Sequence, residues 1–338
     1  MWSCVGSAPT VGRRFVRVSV GVARGVALVT SFFAAACLSH PSATITPPTT
    51  APEVVTRRFG DITVHVVNTG WVRVKEAHRT LTGPEALRLP TIVLARRWTE
   101  FMPVLVGVIE HPEGVFLVDT GLSEDSLDPE HFACDPGTAF VYHNLLDFRF
   151  VPEQRIDRRL AALGIDPARV RGIVLTHRHA DHTDGLPFLS PAAEIFVGDG
   201  DWPAHNGALV CRWPPGRPPT LVDGHGPPLA AFPASHPLTR DGRVAIVPLN
   251  GHTPGHLGVA VRTTETDVVF VGDATFSFQQ LASRTLAGIV EVPADARRTL
   301  DVLADQVTRF PSQLVLAHDP MALDRFAAGA RTELADAR

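Results

Sequence analysis

Apolar residues along this chain occur in short runs separated by glycine, proline and polar residues. The runs are rich in valine, isoleucine and leucine and mostly lack alternation, which is typical of strands buried on both faces. They predict strands at 55–66, 103–109, 115–119, 172–175, 194–197, 244–249, 257–263, 267–272 and 313–317. A turn at 111–114 predicts a hairpin between the second and third of them.

Two segments between the strands have apolar residues at helical spacing. Ile156, Leu160 and Leu163 predict a helix that starts at Pro152 and stops at a glycine. The same spacing predicts a second helix, ended by a proline, from Leu300, Leu303, Val307 and Phe310. Strands and helices that follow one another in this way indicate an α/β protein. No internal repeat is visible, so we predict one domain.

Two long stretches have no clean periodicity. Residues 123–150 contain several aromatic residues, and residues 203–237 are dense in proline and glycine. Long irregular segments in a compact domain are often lids or binding loops. Aromatic residues such as Tyr142 are therefore candidates for the wall of an apolar substrate pocket. The alternative is that they only pin the first stretch to the core.

Residues that commonly bind metals follow the ends of four predicted strands. The first block, Thr-His-Arg-His-Ala-Asp-His, comes directly after a buried strand and supplies four of them. Side chains alternate along an extended chain, so His177 and His179 point the same way, and the next two ligands follow on a turn. Because α/β sheets collect ligands past the carboxyl ends of their strands, one site is predicted from His177, His179, Asp181, His182, His252, Asp273 and His318.

These seven side chains supply five imidazoles and two carboxylates. That is enough to hold two divalent metals about 3.5–4 Å apart, a pair that makes a nucleophilic hydroxide at neutral pH. A ligand set without thiolate suits zinc, iron or manganese, and zinc is the default at a hydrolytic site. We therefore predict two Zn²⁺ ions, with iron or manganese as alternatives.

The motifs resemble those of the metallo-β-lactamase superfamily, over nearly everything from residue 55 to the C-terminus. The resemblance implies an αββα four-layer sandwich with the metal site at a sheet edge. It also implies how the ligands are shared. One metal would take His177, His179 and His252, the other would take Asp181, His182 and His318, and Asp273 would bridge the two.

Two further residues are predicted to support the ligands. Residues 116–121 look like the superfamily's strand followed by Asp-Thr-Gly, so Asp119 is expected to orient a metal-bound histidine. The alternative is an aspartate that only forms the turn. His256, in the segment Gly-His-Thr-Pro-Gly-His, is expected behind the ligands rather than among them.

Within the superfamily, residues 151–185 and 251–256 are most similar to the N-acyl-homoserine lactonase-like branch, whose members cleave lactones. That branch usually has a tyrosine three residues after the bridging aspartate, where it hydrogen-bonds the substrate. This chain has Phe276 at that position, and Tyr142 is its single tyrosine. Phe276 is therefore a candidate pocket residue that leaves the substrate class open.

The expected function is that of a dinuclear zinc hydrolase, which cleaves lactone or other ester bonds of a small molecule by attack of a metal-bound hydroxide. Asp181 is the expected catalytic residue, which steers the nucleophile and passes a proton to the leaving group. Phosphotriesterase-like and β-lactamase activities are alternatives, although β-lactamases generally lack the bridging aspartate. A non-catalytic, zinc-dependent binding lipoprotein is a further alternative, and open coordination positions count against it.

The N-terminus has the pattern of an export signal. A basic stretch, an apolar run at 18–33 and the sequence Ala-Ala-Ala-Cys predict a signal peptide at 1–36. Cys37 is then either lipidated, which would tether the protein to a membrane, or the first residue after simple cleavage. Residues 37–53 are rich in serine, threonine and proline and predict a flexible linker. The catalytic domain is expected at 54–338, in the cell envelope, in the periplasm or secreted.

Charge and cysteine content narrow the partners. Loss of residues 1–36 removes four arginines and no acidic residue, so the net charge changes from −4 to −8. An acidic protein is poorly suited to grip nucleic-acid phosphates, which leaves a small-molecule substrate. Cys134 and Cys211 either form a disulfide in an oxidising compartment or stay two free thiols.

Overall fold

Short apolar strands assemble into two mixed sheets in the computed structural model, which describes residues 53–81 and 83–334. Among these residues the first sheet contains β1 (Val54–Phe59), β2 (Ile62–Val74), β3 (Met102–His111), β4 (Gly114–Val118), β5 (Leu146–Arg149), β6 (Val170–Val174), β7 (Glu194–Gly198) and β8 (Thr220–Val222). The second sheet contains β9 (His236–Pro237), β10 (Val244–Pro248), β11 (Leu257–Val261), β12 (Asp267–Phe270) and β13 (Ser312–Val315).

The order of the strands brings several carboxyl ends to one edge. The first sheet runs β1-β2-β3-β4-β6-β7-β8, with β5 paired to β2, and β4, β6, β7 and β8 are parallel. The second sheet runs β13-β12-β11-β10-β9, and β12 and β13 are parallel. The segments that leave β6, β10, β12 and β13 carry the predicted ligands, and the segment that leaves β4 carries Asp119.

Helices cover the outer faces of both sheets. The described helices are α1 (Glu76–Arg79), α2 (Arg88–Leu94), α3 (Pro136–Leu145), α4 (Ile156–Ala162), α5 (Ala180–Thr183), α6 (Phe278–Ser283), α7 (Pro293–Arg309) and α8 (Ala322–Ala328). Residues Ile156 and Leu160 of α4 pack on the first sheet, and Leu300 and Leu303 of α7 pack on the second. Each of these buried leucines contributes on the order of 2 kcal/mol.

The main apolar core lies between the sheets. Val66 and Val174 of the first sheet share one cluster with Ile246 and Phe270 of the second. Gly107 in β3 allows this close packing, because a Cβ there would lie 2.6 Å from the Phe270 ring. The layers are therefore helix, sheet, sheet and helix, and the predicted four-layer sandwich is confirmed.

Two predicted boundaries were wrong in detail. The strand predicted at 55–66 is a hairpin of β1 and β2, because Gly60 has a φ of +65° and turns the chain between Phe59 and Ile62. The helix predicted from Pro152 begins at Ile156, since a 3-10 turn at Pro152–Gln154 precedes it. A glycine or a proline thus lies near each of these two boundaries, although the spacing of apolar residues did not locate either boundary.

The stretch 123–150 is less irregular than its sequence indicates, because it contains α3 and β5. Asp135 caps α3 by accepting hydrogen bonds from the backbone N–H groups of Gly137 and Thr138. The apolar residues of α3 do not follow one face, which is why periodicity missed this helix. Its end carries Tyr142 into the interior, where the ring is 5% exposed.

Cys134 and Cys211 form a disulfide, so the bonded alternative is the correct one. The predicted signal peptide, Cys37 and linker residues 37–52 lie outside the described residues and stay predictions. Within the part of the chain that is described, no helix is long and apolar enough to cross a membrane.

Candidate metal centre

The seven predicted ligand side chains meet at the edge where strands of both sheets end. His177 and His179 follow β6, and Asp181 and His182 lie in the short helix α5. The other three ligands, which follow β10, β12 and β13, are His252, Asp273 and His318. All of them except His179 are buried, and His179 is half-buried.

His177, His179 and His252, the first ligand group, point three ring nitrogens at one spot. Nδ1 of His179 lies 2.9 Å from Nε2 of His177 and 3.2 Å from Nε2 of His252. Nitrogens that bind one zinc at 2.0–2.1 Å lie roughly 3.3 Å apart, so the spacing fits a tetrahedral ion. A single ring proton on His179 cannot satisfy both neighbours, whereas a metal ion would satisfy all three nitrogens.

Asp181, His182 and His318 form the second ligand group. Oδ2 of Asp181 lies 3.4 Å from Nε2 of His318 and 3.8 Å from Nε2 of His182. Nε2 of His182 is buried without a hydrogen-bond partner among the described residues. Such an orphaned buried atom is expected where an ion is bound.

Asp273 lies between the two groups. Its Oδ1 is 3.2 Å from Nε2 of His318 and 3.5 Å from Nε2 of His182, whereas its Oδ2 is 3.6 Å from Nε2 of His252. Oδ1 also has no hydrogen-bond partner within the described part of the chain. One carboxylate oxygen thus faces each group, as a bridging ligand requires.

Asp119 supports the second group through a hydrogen bond with His182. Its Oδ2 lies 2.8 Å from Nδ1 of His182, and its Oδ1 and Oδ2 accept hydrogen bonds from the backbone N–H and Oγ1 of Thr176. Gly121, two residues later, has a φ of +72°, and a Cβ there would lie 2.0 Å from Oγ1 of Thr69. Glycine at position 121 thus permits the tight Asp-Thr-Gly turn, and this turn places the Asp119 carboxylate within hydrogen-bond distance of His182.

Backbone carbonyls orient three other histidines. Nδ1 of His318 donates to the carbonyl of Pro103 at 2.8 Å, and Nδ1 of His252 donates to that of Ile289 at 3.0 Å. Nε2 of His179 donates to the carbonyl of Asn206 at 3.1 Å. Each bond fixes the tautomer and leaves the other nitrogen free to bind a metal.

The remaining predicted site residues surround the ligands. Nε2 of His256 accepts a hydrogen bond from the backbone N–H of Asp273, and its ring lies 5.2 Å from that of His177. The Phe276 ring stacks on His318 at 5.8 Å and is 4% exposed. The hydroxyl of Tyr142 is bound within the protein, and a role for this residue in a pocket wall stays a prediction.

The histidines of the two ligand groups have different pKa values. Burial lowers the pKa values of His177 and His252 well below the usual range and lowers the pKa of His179 to about 4. Burial also disfavours the charged form of His182, but the carboxylates of Asp119, Asp181 and Asp273 outweigh it and raise the pKa to about 9. In the metal-free protein the first group is therefore neutral and the second holds protons.

Asp273 and Asp181 also raise the pKa of His318 well above its usual value, against the effect of burial. Burial opposes ionisation of both carboxyls, yet the neighbouring histidines lower the pKa of Asp181 and that of Asp273. Both carboxyls are therefore ionised at neutral pH and available as ligands.

The sequence interpretation missed several residues at this centre. His205 and Glu291 interact with each other beside His179, with Nδ1 of His205 3.2 Å from Oε1 of Glu291. Burial lowers the pKa of His78 to about 4, and its buried Nδ1 has no hydrogen-bond partner among the described residues. None of the three follows a predicted strand, so no motif pointed to them.

A protein-family model, described as the metallo-beta-lactamase superfamily, matches residues 99–318. The chain is 33% identical over 184 residues to probable metallo-hydrolases of Mycobacterium tuberculosis and Mycobacterium bovis, a match that covers 51% of this chain and 56% of theirs. It thus spans little more than half the length of these relatives. It is also 27% identical over 236 residues to the N-acyl homoserine lactonase AttM of Agrobacterium fabrum, covering 67% of this chain and 85% of that protein.

Solved structures share the fold. An N-acyl homoserine lactone hydrolase, with the product N-hexanoyl-L-homoserine bound at its catalytic metal centre, has a TM-score of 0.59 at 17% identity, over 76% of this chain and 92% of that one. The dizinc quorum-quenching lactonase AidC has a TM-score of 0.52 at 16% identity, over 79% of this chain and 90% of that one. At these identities the likeness shows the architecture alone.

Proposed function

The chain belongs to the metallo-beta-lactamase superfamily, and we propose that it is a dinuclear metal-dependent hydrolase that cleaves lactone or other ester bonds of a small molecule. The observation that carries this proposal is the position of Asp273, with one carboxylate oxygen toward each ligand group. A single structural ion would not need two convergent groups and a carboxylate between them.

The first ligand group would hold one ion and the second group the other. Zinc ions, when bound there, would lower the pKa of water toward neutrality and polarise a substrate carbonyl. His256 keeps Asp273 in place by accepting its backbone N–H, and Asp119 keeps His182 in place. These supports make the ligand cluster rigid before a substrate arrives.

Asp181 is the proposed proton carrier. Its pKa is lowered, so the carboxylate is ionised and can accept the proton of the attacking water as the new carbon–oxygen bond forms. When the bond to the leaving oxygen breaks, the same carboxyl can return that proton to the leaving oxygen. The lactone ring is then open, or the ester is cleaved, and Asp181 is again ionised.

The substrate class follows from relatives and from Phe276. The AttM proteins and the two solved lactonases support a lactone. The buried Phe276 ring offers no hydrogen bond to a substrate carbonyl, and the Tyr142 hydroxyl is already bound to Gly207 and Ala180. Phosphotriester hydrolysis is therefore a second candidate, since it does not need that bond.

We also propose that the protein is exported and acts in the cell envelope or outside the cell. The Cys134–Cys211 disulfide supports this location, because such bonds persist in oxidising compartments. Acylation of Cys37 would add a membrane tether. Mass spectrometry of the protein from its native host tests this, and an intact N-terminus in the cytoplasm would contradict it.

Metal analysis and a substrate panel on the purified protein test the proposed activity. We expect two metal ions per chain and hydrolysis of at least one of a lactone, an aryl ester, a phosphotriester and a β-lactam. Fewer than two ions, or no hydrolysis across the panel, would contradict the proposal.

The variant Phe276→Tyr separates the two candidate substrate classes. If lactones are the substrates, the added hydroxyl should raise kcat/KM for lactones a few-fold, because one neutral hydrogen bond is worth about 1 kcal/mol. Phosphotriester hydrolysis should not gain from it. Unchanged phosphotriester hydrolysis with no gain for any lactone would favour the second candidate.

A further inference from the structure

We propose that Tyr142 and the Cys134–Cys211 disulfide position His179 for metal binding, through the loop of residues 205–211 (the 205–211 loop). The inference rests on the proposed function, because it assumes that His179 binds a metal. It assigns these residues a positioning role at the first ligand group alone.

The 205–211 loop touches His179 directly. Its Asn206 carbonyl accepts the hydrogen bond from Nε2 of His179, which leaves Nδ1 facing His177 and His252. Gly207 lets the backbone approach this closely, because a Cβ there would lie 2.9 Å from Cδ2 and Nε2 of the His179 ring. Its φ of +82° also favours glycine. The position of this loop therefore sets the angle of the His179 ring.

Tyr142 ties the loop to the chain segment of His179. Its hydroxyl donates to the carbonyl of Gly207 at 2.9 Å and accepts from the backbone N–H of Ala180 at 3.0 Å. The ring is buried and stacks on Phe132 with centroids 4.5 Å apart. One hydroxyl thus joins the residue after Asn206 to the residue after His179.

The disulfide holds the far end of the loop. Cys211 is bonded to Cys134, two residues after Phe132, on which Tyr142 stacks. Arg212, the next residue, donates hydrogen bonds to the backbone carbonyls of His131 and Glu130 at 2.9 and 2.7 Å. The covalent bond and the arginine therefore fix this end of the loop to the same segment that supports Tyr142.

Glu291 holds the near end of the loop. It accepts a hydrogen bond from Nδ2 of Asn206 at 2.7 Å, and its backbone N–H donates to the carbonyl of His252. The loop is thus linked to two ligands of the first group. Among the described hydrogen bonds, none joins it to His182 or His318, so a disturbance of the loop should affect one group selectively.

The experiment measures metal affinity rather than turnover. Zn²⁺ or Co²⁺ is titrated into the metal-free protein against a competing chelator, and the Co²⁺ absorption spectrum follows each site. The variants are Tyr142→Phe, which removes only the hydroxyl, and Cys134→Ser/Cys211→Ser. A His318→Ala background, which disables the second group, identifies the site that changes. Phe148→Leu is the matched control, because Phe148 packs on Phe132 and Tyr142 but makes no contact with the loop among the ring contacts and side-chain hydrogen bonds of the described residues.

We expect Tyr142→Phe to weaken the first site about 5–10-fold, with a changed Co²⁺ spectrum, because the hydroxyl acts on His179 through Gly207 and a neutral hydrogen bond is worth about 1 kcal/mol. The second site should stay within a factor of two. The cysteine pair variant should act in the same direction, and it decides the question if Tyr142→Phe does not fold. Equal weakening of both sites, no weakening, or the same loss in Phe148→Leu would overturn the inference. A wild-type protein that binds no metal would instead contradict the proposed function.

Discussion

Loops and backbone carbonyls hold the first ligand group, whereas strands and a buried carboxylate hold the second. His179 and His252 donate to the carbonyls of Asn206 and Ile289, which lie outside the sheets. His318 donates to Pro103 within β3, and His182 is bound by Asp119 at the end of β4. The second group therefore rests on the rigid part of the sandwich, and the first depends on segments that must be fastened separately.

The two ligand groups also differ in the charge of their histidines. In the first group, burial is the largest influence on the histidines and keeps them neutral. In the second group His182 and His318 face Asp181 and Asp273, which favour the protonated rings. Identical side chains thus differ in protonation because carboxylates outweigh burial in the second group but not in the first. A metal entering the first group displaces no proton, whereas one entering the second must compete with protons.

Removal of the residue that the groups share should have the largest effect. Asp273→Ala is expected to lose one metal ion and to lower kcat/KM by roughly 10²–10³-fold, since a charged ligand at the reacting centre is gone. Metal content and steady-state kinetics check this. Asp324→Ala, an exposed aspartate on α8, is the control. Two tightly bound metals in Asp273→Ala would refute the bridging position.

Loss of the Asp119 carboxylate, which hydrogen-bonds His182 of the second group, should have a smaller effect. Asp119→Asn keeps the shape of the side chain but removes the charge that holds His182, so metal affinity should fall about 10–100-fold. The loss should be greater at the second site than at the first, where Asp119 reaches only through Thr176. Chelator competition measures both sites. An equal loss would show that the two groups are not supported independently.

The pH dependence of metal binding should distinguish the groups further. Because the pKa of His182 is about 9, affinity at the second site should fall about tenfold for each unit that the pH drops below 9, for each proton displaced. The pKa of His179 is about 4, so affinity at the first site should stay nearly constant from pH 8 to pH 6. Zn²⁺ titrations at pH 6, 7 and 8 provide the test. Parallel curves for the two sites would contradict it.

The stability of the metal-free protein should fall as the pH rises, whereas metal affinity at the second site should increase. A histidine whose folded pKa is raised stabilises the fold fully below its unfolded pKa, and the contribution is lost as pH rises through the folded value. For His182 that window extends from about pH 6.5 to about pH 9. The melting temperature of the metal-free protein should therefore fall across this range, and bound metal should abolish the fall.

Much of the fold and of the ligand set could be predicted from local patterns. The apolar runs at 172–175 and 268–271 predict β6 and β12, and His177 and Asp273 follow shortly after the two runs end. Helix α3 could not be predicted in this way, because its apolar residues do not follow one face. The supports of the ligands were also hidden, since carbonyls such as that of Asn206 occur at every residue and have no sequence signature.

The sequence by itself predicted the candidate ligands, because imidazoles and carboxylates at strand ends are brought together by the topology of an α/β sandwich. Tertiary structure alone decided which histidines carry protons and which segments orient them. Those properties depend on contacts between distant residues, such as Tyr142 with Gly207 and His318 with Pro103. Burial and the neighbouring charges then set each pKa, and neither can be counted along the chain.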